Sequence, residues 1–64
     1  MSNWLSRGIR IYEHATNGML LSRSNYNFYQ GMNEIADLRI TPGVKVVGVG
    51  NESGAMVVHY QWAR

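Results

Sequence analysis

The sequence predicts an α+β domain of order ββαββ: a four-stranded antiparallel sheet with one helix packed on one face. Three observations carry that expectation. They are an Asn17-Gly18 pair between two strand-like segments, an amphipathic stretch after Asn27, and a Gly-punctuated β-branched run after Pro42. The 64 residues hold no repeat, linker or low-complexity segment and read as one small domain. Residues 1–7, ahead of the first alternating segment, read as an N-terminal arm.

From Gly8 onward, Ile9, Ile11 and Glu13 alternate with Arg10, Tyr12 and His14, the period of a half-buried strand. Asn-Gly is the strongest short hairpin signal, because a type I′ turn needs positive φ at both central residues. A two-residue loop there sets Thr16 opposite Met19, Tyr12 opposite Arg23, Ile11 opposite Ser24 and Ile9 opposite Tyr26.

The helix begins at Asn27, an N-cap with Gln30 placed for a capping-box-like pair. At 100° per residue, Phe28, Met32, Ile35, Ala36 and Leu38 share one arc and Gln30, Asn33, Glu34 and Asp37 the opposite one. Gly31 weakens this helix by roughly 1 kcal/mol relative to Ala. Ile40-Thr41-Pro42-Gly43 ends it, since Pro42 biases Thr41 away from the helical region.

The last third reads as a second hairpin, with strands over 44–49 and 55–62 and a five-residue loop over 50–54. That loop sets Val46 opposite Val58 and Lys45 opposite His59. Ile9, Ile11, Met56, Val58, Tyr60 and Trp62 then lie beneath Met32, Ile35 and Leu38. The uncovered face gathers Arg10, Tyr12, His14, Arg23, Lys45, Val47, Val57, His59 and Gln61, with no carboxylate.

Composition narrows the function classes. Six basic residues against four acidic ones give +2, and 45% hydrophobic with 16% charged residues describes a chain that buries a core. The absence of Cys excludes disulfides, thiolate metal sites and Cys nucleophiles. Apolar runs such as Val46-Val47 and Met56-Val57-Val58 fall far short of the ~20 residues that cross a bilayer. The start, Met1-Ser2-Asn3-Trp4-Leu5, lacks the basic region and apolar core of a signal peptide. The expectation is a cytoplasmic domain without membrane attachment. At ~60 residues a domain buries only about 60% of its unfolded surface, so weak homo-oligomerisation or docking on a larger partner is a natural supplement.

Catalytic chemistry is thin. Glu13 and His14 are adjacent and point to opposite faces of a strand, so they do not form an acid–base pair. His14 and His59 lack a third ligand at metal-site spacing. Gly48-Val49-Gly50 is followed by neither Lys-Ser/Thr nor a helix, so it does not meet the phosphate-loop pattern. The expectation is a protein without catalytic residues, cofactor or metal.

A binding surface is the positive feature. Arg10, Tyr12 and Arg23 fall together on the uncovered face with Lys45 and His59, and the guanidinium groups can bracket the Tyr12 ring. Trp4 adds an aromatic anchor in the arm. These six residues are the expected partner-binding set. The first functional expectation is a small interaction protein that binds and modulates a larger protein, of the kind that free-standing phage and mobile-element genes encode. The alternative is a nucleic-acid-binding module whose basic face meets phosphates and whose aromatics stack on bases.

Overall fold

The computed structural model describes residues 8–63. Trp4 and the arm therefore lie outside the described residues. The strands are β1 (Ile9–His14), β2 (Leu20–Tyr26), β3 (Val44–Glu52) and β4 (Ala55–Trp62), with one helix, α1 (Phe28–Ile40), between the two hairpins. The element order is as expected, but the sheet is mixed. Its strand order is β2-β1-β4-β3, and β1 pairs with β4 in parallel, Ile9 beside Met56 and Ile11 beside Val58. The physical reason is the helix. Thirteen residues at ~1.5 Å each carry the chain ~20 Å back along the sheet, so β3 runs in the same direction as β2. Each hairpin is antiparallel, and β4 is thereby parallel to β1.

The first hairpin has the expected register over most of its length, from Ile9 opposite Tyr26 to Glu13 opposite Ser22, by a different route. The carbonyl of Ala15 accepts from Gly18 N–H, and Ala15 N–H donates to the Met19 carbonyl, each at 2.8 Å. Gly18 alone in this turn has positive φ, +93°. This is a three-residue loop, a turn closed by a left-handed glycine, rather than type I′. His14 consequently faces Leu20, and a bulge at Leu21 restores the expected pairing at Glu13.

The second hairpin is tighter than expected. Glu52 faces Ala55 across a two-residue turn in which Ser53 (φ 52°) and Gly54 (φ 85°) are both left-handed. The type I′ turn thus sits at Ser53-Gly54. Val46 faces Tyr60 and Lys45 faces Gln61, and after a bulge at Val47, Gly48 faces His59 and Gly50 faces Val57. Glu52, placed by the sequence in a loop, is a strand residue on the uncovered face.

The core is small: Ile9, Ile11 and Val58, with Tyr26, Phe28, Ile35, Leu38, Met56 and Tyr60 packed around them. Asn27 caps α1, its Oδ1 accepting from Gln30 N–H at 2.7 Å, and Thr41 ends it, its hydroxyl donating to the Asp37 carbonyl at 2.6 Å. Gly31 is the buried residue of the helix. A Cβ there would stand 2.6 Å from the Ile9 Cβ and 2.8 Å from its Cδ1. The helix thus seats its bare backbone on Ile9 and is rolled accordingly. Met32, expected to pack on the sheet, is 42% exposed, and Tyr29 and Ile40 are about four-fifths exposed. Among the described residues no helix is long and apolar enough to cross a membrane.

Gly31→Ala therefore reverses the usual helix rule. Ala is ordinarily better by roughly 1 kcal/mol in mid-helix, yet overpacking of this kind costs ~1–3 kcal/mol. A net loss is expected, read as a melting temperature lower by several degrees; a higher one would show that α1 is free to lift from Ile9. Gly18→Val meets open space, with nothing within 4 Å of its Cβ, so its expected cost of roughly 1–3 kcal/mol is that of the left-handed backbone alone. An unchanged melting temperature would contradict the turn.

Candidate functional site

The uncovered face is organised by two neighbours of β4, a parallel strand on one side and an antiparallel one on the other. Pairing places Tyr12 beside His59 and Gly48 opposite it, so the outward residues form rows across the strands. The Tyr12 and His59 rings stack with centroids 4.5 Å apart and planes at 17°. His14 adds a third ring, 5.1 Å from His59. Its Nε2 lies 2.8 Å from His59 Nδ1, and its Nδ1 lies 3.1 Å from the Gly18 carbonyl. A carbonyl only accepts, so His14 carries its proton on Nδ1; in the neutral ring Nε2 then accepts from His59 Nδ1–H. The sequence could not join these residues, which are 45 positions apart; only the parallel pairing does. Among the described residues no group of three or more His, Asp or Glu forms around them as a metal set.

Glu52 closes the other end of the row. Its Oε1 accepts from Arg10 Nη1 at 2.9 Å and from the Tyr12 hydroxyl at 3.1 Å. The expected cluster of Arg10, Tyr12 and Arg23 is thus rearranged. Arg23 does lie opposite Tyr12, but Arg10 is held by a carboxylate and a face of the Tyr12 ring is covered by His59. Val47 and Val57, both expected on the uncovered face, are not paired there: Val57 is buried opposite Gly50, and Val47 is the bulge residue. Lys45 and Arg23 are exposed, and among the described residues the one ion pair is Arg10–Glu52.

Glu13 and His14 do point to opposite faces. On the helix side, Glu13 accepts from Trp62 Nε1–H at 2.6 Å and from the Ser22 hydroxyl at 2.9 Å. The Trp62 bond, and secondarily the Ser22 bond, hold the Glu13 carboxyl below the usual carboxylate range. Burial, and then the nearby Glu13 charge, push the Tyr60 phenol up. These contacts tie together β1, β2 and β4 and occupy Glu13 structurally.

What the arrangement leaves open is the β3 side. On the outer surface, Gly48 and Gly50 lack side chains and leave a shallow trough of about 280 Å³, with Val57, His59 and Glu52 among its walls. On the helix side, Val46 and Val49 are 41% and 64% exposed. Comparison with protein-family models, with curated proteins and with solved structures returned no match.

Folding lowers the Glu13 pKa, so the stability this group supplies is present at neutral pH and is lost as pH falls through the lowered value. Glu13→Gln should reduce the melting temperature at pH ~7, and its gap to the wild type should narrow toward pH ~3; an equal gap at both would contradict the assignment. The Arg10–Glu52 pair is exposed, and a double-mutant cycle should return under about 1 kcal/mol of coupling.

Proposed function

We propose that the chain is a non-enzymatic interaction module that binds an extended segment of a larger protein along β3, adding it to the sheet as a further strand. The observation that carries this is the edge itself. β3 is nine residues long, ends the sheet among the described strands, and presents Val46, Val47 and Val49 exposed along an edge that no other described strand pairs. Long apolar edges pair with other strands unless they are guarded by charge, proline or a cover. Lys45 and the Val47 bulge are the modest guards here. The other edge, β2, opens with the exposed Leu20 and Leu21 but is polar from Ser22 through Arg23 and Ser24 to Asn25.

The rolled helix strengthens the reading. Glu34 and Leu38 line a cleft with Ser22, Ser24 and Tyr26, so that flank of α1 faces β2. By helical period Met32 and Ile35 lie on the other flank, above the β3 side. A strand laid along β3 therefore gains main-chain bonds from the edge and apolar contact from Val46, Val49 and Met32. Among the described residues the exposed large apolar side chains, nine of them, outnumber the five buried core ones, a balance expected where a partner supplies cover. Nucleic-acid binding has less support, because Arg10 is already neutralised by Glu52 and Tyr12 already stacks on His59.

Selection of random strand-length peptides on the whole chain tests the proposal. Binders should slow amide exchange along β3 and leave β2 unchanged. Val49→Lys, which keeps the fold because Val49 is exposed, should weaken them by roughly tenfold or more. Protection confined to β2 or α1 would refute the β3 assignment.

A further inference from the structure

Resting on that reading of β3, we infer that the trough over Gly48 and Gly50 is a side-chain pocket for one aromatic residue of the bound strand. Successive strands lie ~4.8 Å apart, and upright side chains on one face stand in rows at that spacing. Here the row runs from Tyr12 on β1 to His59 on β4 and stops at Gly48 on β3, where no side chain exists. Tyr12 covers the β1 side of the His59 ring at 4.5 Å. On its other side His59 lines, with Gly48, the trough toward β3. A Cβ built on either glycine meets nothing within 4 Å. The slot is walled by His59 and Val57.

A strand added to β3 places its own outward residues directly across from these glycines. An aromatic side chain there leans over a cross-strand glycine and covers it, a pairing that β-sheets use repeatedly. In this sheet it meets a ring face already aligned by Tyr12 and a buried valine beneath. An aliphatic chain fills the volume but makes no stack, and a long charged one leaves its head unpaired above Val57. Lys45 adds a second requirement. It is the outward neighbour of Gly48 along β3, the Val47 bulge intervening, and has no carboxylate partner among the described residues. The occupant is thus an extended peptide with an acidic residue beside Lys45 and an aromatic two to three positions along, over the glycine pair.

Both glycines have φ outside the left-handed region, so the site can be filled without backbone strain. Gly48→Val puts a strand-forming side chain into the slot, and the melting temperature should stay level or rise. The probes are the peptides recovered by selection on the wild-type chain. Their aromatic position should be enriched, and replacing it by Leu should weaken binding roughly tenfold. Gly48→Val should weaken the parent peptide by a similar factor while leaving the Leu peptide nearly unaffected. The His59 ring protons should shift upfield only with the aromatic peptide. If binders protect β3 but show no aromatic preference and bind Gly48→Val equally well, the pocket assignment fails and the edge reading stands. If no binder protects β3, both fail together.

Discussion

The contact of Gly31 with Ile9 is the constraint on which the arrangement depends. Ile9 is the most enclosed residue of the sheet together with Val58, each at 1% exposure. The helix reaches it only by presenting a residue with no side chain. That choice fixes the roll of α1, and with it which residues are left outside. Phe28, Ile35 and Leu38 turn inward, while Tyr29, Met32 and Ile40 turn outward. The weaker helix propensity of glycine is offset by close packing in a core too small to lose any. A residue read in isolation as a defect in the helix is its point of attachment.

A second dependence runs through the tight turn at Ser53-Gly54. A longer loop would leave Glu52 outside the ladder. With the two-residue turn, Glu52 is the last strand residue and faces outward beside Arg10 and Tyr12. The uncovered face thus gains the carboxylate that neutralises one of its cations. A strongly basic surface becomes a row of stacked rings with one charged pair at its end, and recognition shifts from charge toward shape at the glycine trough.

Local features were legible in the sequence, and those set by chain return were not. Asn27 and Thr41-Pro42 mark the helix ends because caps and stops act within a few residues. The register of β1 with β2 was readable because the bulge at Leu21 compensates for the three-residue turn. The position of the type I′ turn was not: Asn17-Gly18 has the stronger dipeptide signal, yet Asn17 spends its Oδ1 on Met19 N–H at 3.0 Å and keeps φ negative. The Ser53-Gly54 dipeptide is a turn signal in its own right. Parallel pairing of β1 with β4 left one trace, the run Ala55-Met56-Val57-Val58, whose continuity marks a central strand with Val57 and Val58 both buried. Read as simple alternation, it placed Val57 in the open. The His14–His59 contact depends wholly on that pairing, and the expected roles of Arg10 and Tyr12 changed because Glu52 was assigned to a loop.

The central seam of the sheet has a consequence for assembly of the chain. Each hairpin joins neighbours in sequence, but β1 meets β4 only after both hairpins and the helix exist. Closing a loop of that length is entropically slow compared with forming a hairpin, so the seam is the step that sets the pace of folding. Until it closes, β1 and β4, which carry the five buried apolar residues found among the described residues, are themselves open edges. A β4 strand from a neighbouring molecule satisfies β1 as well as its own does, with Thr41-Pro42-Gly43 as the connecting hinge. Exchange of C-terminal hairpins between two chains is therefore the characteristic misassembly of this topology, and it grows with concentration during synthesis or refolding.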